Sequence, residues 1–189
     1  MATSTLTPPR TRASALGRTV PPHHLRSGAP TVEIVGRTSP RPGAVEHVLD
    51  TATPDDAALA LAAARADVVR LVPSAALPTP GHVRALVRRV EQEVAALGRP
   101  RADVRVVLEV ETVVAADAAD ARRRRSHLAY AEAFAGLTWS PSASWVVAPL
   151  DAVLDTATDL ARRSGVDAVA LSLVGASAAH APTLVAAVA

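Results

Sequence analysis

From Val45 onward, short runs of β-branched and aliphatic residues alternate with longer segments of helical periodicity. Val45 to Ala52 reads as a strand, and an Ala/Leu-rich helix follows to about Arg65. Asp67 to Val72 is the next strand. The second helix runs from Thr79-Pro80 to Gly98, and Val104 to Ala115 is a long β-branched run. Asp117 starts an Ala- and Arg-rich helix reaching about Phe134. Ser144 to Val147 is a short strand, Pro149 and Asp151 open another helix that Gly165 ends, and Asp167 to Val174 is the last strand. A short terminal helix is expected over Pro182 to Ala189. Parallel strands need long crossovers, and a helix is the usual one, so this order predicts right-handed βαβ units. The fold class is α/β: parallel strands alternating with helices that cover the sheet. Periodicity leaves open whether the sheet is open or belongs to a closed barrel.

The punctuation supports this order. Thr53 is a candidate helix cap, Pro54 suits a first turn, and Asp55 and Asp56 face the positive end of the helix dipole. In the second helix Val83, Leu86, Val87, Val90, Val94 and Leu97 recur at three- and four-residue spacing, one stripe facing a core. Leu150, Val153, Leu154, Ala157, Leu160 and Ala161 do the same in the later helix.

The first thirty residues differ. They carry Arg10, Arg12, Arg18 and Arg26, no acid, and the pairs Pro8-Pro9 and Pro21-Pro22. With few large apolar groups to offset ordering entropy, residues 1–30 are expected to be a disordered Arg/Pro-rich arm, and 31–189 the folded domain. Val32 to Val35 is a short β-rich run, followed by a turn-rich loop, Gly36 to Gly43. Over the 189 residues, 49% are hydrophobic and only 2% aromatic. All 20 basic residues are arginine, against 18 acids, for a formal charge of +2. The sequence pI of 10.3 therefore reflects the missing lysines rather than a polycation. No cysteine is present, which excludes disulfides, thiolate metal sites and a cysteine nucleophile. No apolar run approaches about 18 residues, so no membrane span is expected, and the start lacks the apolar core of a secretory signal. An Arg- and Ser/Thr-containing start also fits an organelle transit peptide, without its amphipathic stripe; the cytoplasm is the default expectation.

From about Val32 to Val174 the chain resembles the C-terminal half of the luciferase-like flavin-dependent monooxygenases. Six blocks carry the resemblance in order. Thr38 to Pro42 with Val45 to Asp50 resembles the proline-rich approach to the family's fifth barrel strand. Leu61 to Val69 resembles a helix end and the sixth strand, and Val83 to Arg99 the family's long helix. Val106 to Val114 with Ala115 to Arg124 resembles the seventh strand and its helix. Val146 to Val153 resembles the start of the last helix, and Gly165 to Leu171 the final strand. The resemblance implies the C-terminal half of a (β/α)8 TIM barrel. It implies FMN or another reduced flavin as cofactor, with a deazaflavin as the alternative. The family's first four strands, which supply much of the flavin pocket and the catalytic polar groups, have no counterpart here; Gly136 to Ser142 is shorter than the family's insertion there, and the C-terminal helix is short. A half-barrel has two open edges and an inner face without an opposite wall, both association liabilities. The expectation is a homo-oligomer, a complementary barrel half, or rearrangement into a closed sheet. A truncated or degenerate gene product, inactive alone, fits equally.

The resemblance places a flavin phosphate at the turn Thr51 to Asp56, with Thr51, Thr53, Ala57 and Ala58 as the candidate cofactor-binding residues. A helix N-terminus offers unpaired N–H groups to a phosphate, and strand carboxyl ends form the active face of a barrel. Against this, Pro54 lacks an N–H and Asp55 and Asp56 repel a dianion, so simple helix capping is the other reading. No catalytic residue is assigned and no metal is expected: His23 and His24 lie in the arm without a third ligand. Arg122 to Arg125 point to all sides of a helix and form no single face. Glu109 and Glu111 share one side of their strand. They suit acid–base work on an inner face; an outer face or an edge is the favoured placement. His47 and Asp50 lie near the active end of a strand; His127 and His180 are isolated. Three functions follow as expectations: a flavin-dependent oxidoreductase or monooxygenase, a non-catalytic half-barrel acting as a structural or partner subunit, and, as an unlikely third, a weak nucleic-acid binder using the arm.

Overall fold

The computed structural model describes residues 28–38, 43–49, 55–74, 77–136 and 141–189. The strands are β1 (Thr31–Ile34), β2 (Glu46–Leu49), β3 (Val68–Leu71), β4 (Arg105–Ala115), β5 (Val146–Pro149) and β6 (Ala168–Leu173). The helices are α1 (Asp56–Arg65), α2 (Pro80–Ala96), α3 (Ala118–Ala135), α4 (Pro141–Ser144), α5 (Val153–Ser164) and α6 (Ala181–Val188). All pairings are parallel, in the order β1-β6-β4-β3-β2, with β5 also on β4. Thus β2, β3, β4 and β6 stand side by side in chain order. In a closed cylinder of sequential strands the last neighbours the first, and β1 occupies that seat beside β6.

One reversal interrupts the progression. The even residues of β4 bond toward β6: Val106 O accepts from Asp167 N at 2.9 Å and Thr112 O from Val174 N at 3.1 Å. The odd residues bond toward β3, as Arg105 N does to Asp67 O at 2.8 Å. With the β6 side of Thr112 taken, β5 joins the far end of β4 on the same edge as β3. The step from β4 to β5 runs backward, and a right-handed crossover in that direction puts its helix on the opposite face of the sheet. Accordingly α3 sets Ala121 and Leu128 against Val113, Ala115, Trp145 and Val147. The step from β5 to β6 runs forward again, and α5 returns to the first face.

That first face holds the main core. Ile34, Leu49, Val69, Leu71, Leu108, Val169 and Leu171 alternate inward and meet Leu59, Val83, Val87, Val90, Val153 and Leu160 from the helices. Each such fully buried side chain contributes about 1.5–3 kcal/mol. Helix ends are closed by side chains from neighbours. Arg99 donates to the carbonyls of Ala63 (2.6 Å) and Ala66 (3.1 Å) at the end of α1, and Arg84 to that of Arg162 (2.6 Å) at the end of α5. Gly136 and Gly165, at φ 58° and 69°, end α3 and α5 in the left-handed conformation glycine adopts freely.

Several sequence expectations need correction. The cap of α1 is Asp55, whose carboxylate accepts from Ala58 N at 2.6 Å; the helix starts after it, and Thr53 and Pro54 lie outside the described residues. The expected strand Val45 to Ala52 is described only as Glu46–Leu49, since residues 50–54 lie outside the description. Ser144 ends a helical turn, α4, and the strand begins at Val146, where Thr112 to Ala115 of β4 offer the pairing. Pro149 and Asp151 lead through a 3-10 turn, Leu150–Ala152, before α5 begins. Another 3-10 segment, Gly175–His180, precedes α6.

Candidate functional site

Parallel sheets bind ligands beyond the carboxyl ends of their strands, especially where strand order reverses. At the β4/β5 reversal lies an open cleft of about 1010 Å³. Val114, Leu150, Leu154 and Leu184 form apolar walls, and Arg124 and His180 are among its polar groups. Asp117 caps α3 by accepting from Asp120 N at 2.7 Å, while Asp120 accepts from Ala116 N at 3.1 Å, a reciprocal box that fixes the loop. Arg124, one turn on, donates to Asp120 at 2.7 Å, and Arg123 reaches it at 3.3 Å. The Arg124 hydrogen bond and then the Ala116 amide hold the Asp120 carboxyl below the ordinary range, against a smaller desolvation effect. The far wall is tied on by Ser177, whose hydroxyl accepts from Val114 N at 2.9 Å. Apolar walls with a few polar groups suit a small organic molecule.

His180 looked isolated in the sequence. The 3-10 segment after β6 folds the chain back over the strand ends and sets His180 in the same cleft as Arg124. Gly175 and Pro182, as turn and helix-start signals after the last strand, were the signs of that return.

The sheet face opposite the main core carries a second constellation. Glu33 of β1, Glu46 of β2, Arg70 of β3, and Arg105, Glu109 and Glu111 of β4 all point to it by strand alternation and register. Arg70 bonds Glu46 on one side and Glu109, at 3.2 Å, on the other. The Glu46 hydrogen bond raises the Arg70 pKa against desolvation, with Glu46 and Glu109 charge attraction adding to it. Arg105 reaches over β6 to Glu33 and to Thr31 Oγ1, 2.6 Å away. The arms roof a floor of Val68, Val107, Ala168 and Ala170, all buried, with none of the described helices in their cluster. Two expectations change. Glu109 and Glu111 sit on a central strand, on the face that would line a barrel, not on an outer face or an edge. That face is ion-paired rather than apolar: of its described side chains, Val48 and, just past β1, Val35 are the large apolar ones left exposed.

Of the phosphate candidates, Thr51 and Thr53 lie outside the described residues, as does Asp50. Ala57 and Ala58 form the first turn of α1, and the Ala58 N–H is engaged by Asp55. Asp56 is exposed and pairs with Arg89 at 2.8 Å. In the described part of this turn Asp55 acts as the cap and takes the Ala58 N–H. In the arginine run, Arg125 donates to Val147 O at 3.1 Å while Arg123 and Arg124 hold Asp120, so the run forms no common face. Among the described residues, no three His, Asp or Glu side chains gather to hold a metal ion, and no helix is long and apolar enough to cross a membrane. His23 and His24 lie outside the description.

A parallel α/β sheet in barrel order, with a cleft at its strand carboxyl ends, defines the class. A family model described as luciferase-like monooxygenase matches residues 25–185. The chain belongs to the luciferase-like monooxygenase family. Among solved structures, it is similar to the riboflavin lyase RcaE, determined with modified FMN and riboflavin. That similarity has 14% identity and TM-score 0.52, over 75% of this chain and 43% of that one. It is also similar to DmoA from Hyphomicrobium sulfonivorans, at 12% identity and TM-score 0.50, over 74% of this chain and 41% of that one. An F420-dependent secondary alcohol dehydrogenase aligns at 10% identity and TM-score 0.47, over 68% and 42% of the two chains. This chain therefore spans about two fifths of the length of the solved structures it matches. No curated protein matches it by sequence.

Proposed function

We propose that this chain supplies one wall of a luciferase-like flavin-dependent oxidoreductase and does not turn over substrate by itself. The observation that carries the reading is the strand order: β2, β3, β4 and β6 follow one another, with β1 in the seat beside the last strand. The cofactor proposed is FMN, with a deazaflavin as the alternative; when bound it supplies hydride transfer or reaction with O₂. Residues 51–58 would face the phosphate end, through Thr51, Thr53, Ala57 and Ala58. The strand ends around the β4/β5 cleft would face the organic substrate. Arg70 and Arg105 hold Glu33, Glu46 and Glu109 in ion pairs, which leaves Glu111 as the barrel-lining carboxylate without an ion pair among the described residues; further acid–base groups for turnover would come from an opposite wall.

A second reading, a non-catalytic half-barrel subunit, is favoured by one observation: Asp55 already uses the Ala58 donor that a phosphate would take. Titration of the protein with FMN and with riboflavin, followed by flavin fluorescence, separates the two. The flavin reading expects saturable FMN quenching at micromolar concentrations. It also expects Asp55→Ser, which keeps a cap but removes a charge, to tighten FMN binding several-fold and leave riboflavin unchanged. No fluorescence change at high micromolar FMN would leave the subunit reading standing.

A further inference from the structure

The β4/β5 cleft sets charges of both signs beside an apolar wall. Asp120 holds Arg124 through Nε alone, at 2.7 Å, and among the described residues neither terminal amino group of that guanidinium has a partner. Asp120 is itself fixed in the α3 capping box, so the guanidinium is pinned on one side and keeps its two-pronged edge free for a bidentate anion. The neighbouring loop brings the opposite charge. Ala115 and Pro149 are register partners, so the loops that follow them leave adjacent strand ends. Asp151 lies in the second of these loops, exposed and with no partner among the described residues. Asp117, in the first, adds a carboxylate that accepts from Asp120 N at 2.7 Å through one oxygen. Leu150, Leu154 and Leu184 supply the apolar wall.

This combination argues against the simpler ligands one by one. A plain organic anion meets Arg124 but lies against Asp117 and Asp151. A plain amine meets those carboxylates but lies against Arg124, and like charges brought together in a cleft oppose binding. An uncharged apolar molecule covers both charged groups and pairs with neither. We propose that the cleft binds a small amphiphilic zwitterion, an aliphatic amino acid or a close relative. Its carboxylate sits on the Arg124 fork, its ammonium at Asp151 and Asp117, and its side chain on the leucines. As the organic substrate of a flavin enzyme, this ligand rests on the flavin reading; as a ligand of the cleft, it does not. Because Asp120 already orients Arg124, little ordering is left for the ligand to impose.

Calorimetric titration of the full chain with L-leucine tests this, beside three analogues that each lack one feature. Isocaproate lacks the ammonium, isoamylamine the carboxylate and glycine the apolar side chain. Leucine should bind saturably, and each analogue about tenfold more weakly, because part of the cleft is then left unpaired or unfilled. Asp151→Asn should weaken leucine several-fold and strengthen isocaproate; Arg124→Gln should weaken leucine and strengthen isoamylamine. A variant that had merely lost its fold would lose every ligand, so this crossover reports the charges themselves. Equal binding of leucine and glycine, tighter binding of either singly charged analogue, or no leucine binding at about 10 mM would overturn the proposal. FMN titrated into the same protein keeps the two readings apart. FMN binding without leucine binding overturns the zwitterion site alone; leucine binding without FMN binding supports the site and removes the flavin reading.

Discussion

Single residues carry much of the local order here, and their roles are separable. Asp120 is a hub: it accepts from Ala116 N and from Arg123 and Arg124. Because its folded pKa lies below the unfolded value, its contribution is present above the ordinary carboxylate range and is lost as pH falls through the lowered folded value. Asp120→Asn should therefore lower the urea midpoint at neutral pH and leave it unchanged in strong acid, where both proteins carry a neutral side chain. A gap between the two midpoints that persists at low pH would show that charge is not the cause. Ser164, at the end of α5, buries a hydroxyl with no hydrogen-bond partner among the described residues. Ser164→Ala should raise stability by about 1 kcal/mol, measured by urea unfolding. Residue-level reading of the sequence found Asp117 as a helix start and Gly165 as a stop, because caps are local chemistry. It assigned the α1 cap to Thr53 rather than Asp55, because Thr-Pro-Asp-Asp offers several capping side chains and only the backbone path selects one.

At the level of elements, the helix stripes and the long β4 run were legible because burial on one face imposes a period. The position of β5 was not. Val146–Pro149 pairs with the last four residues of β4, and nothing within four residues reveals that it steps backward and sends α3 to the other face. The ion-pair roof was hidden for a related reason: Arg105 bonds Glu33, 72 residues away, across the alanines of β6. Small side chains on β6 are what let that arm pass. Ala168→Leu should lift Arg105 off Glu33 and cost about 1–3 kcal/mol. In an Arg105→Met background the same change should cost clearly less, since the arm it displaces is gone. Strict additivity in that double-mutant cycle would contradict the bridging geometry.

The whole molecule is a sheet whose two faces follow different physics. One is closed by α1, α2, α5 and α6 over a continuous apolar core; the other, beyond the reach of α3, is closed laterally by charge pairs between strands. The α/β class and family resemblance were readable from block order. The polarity of the second face was not, since it depends on which alternate residues a register brings together. β1 stands beside β6, as the first strand would in a barrel, rather than beside its chain neighbour β2. The native chain has no cysteine, so paired cysteines report cleanly. Glu33 and Ala170 are register partners, and adjacent strands meet disulfide geometry. Glu33→Cys with Ala170→Cys should oxidise readily to an intramolecular disulfide, and Glu33→Cys with Val48→Cys should not; the reverse result would contradict the barrel order.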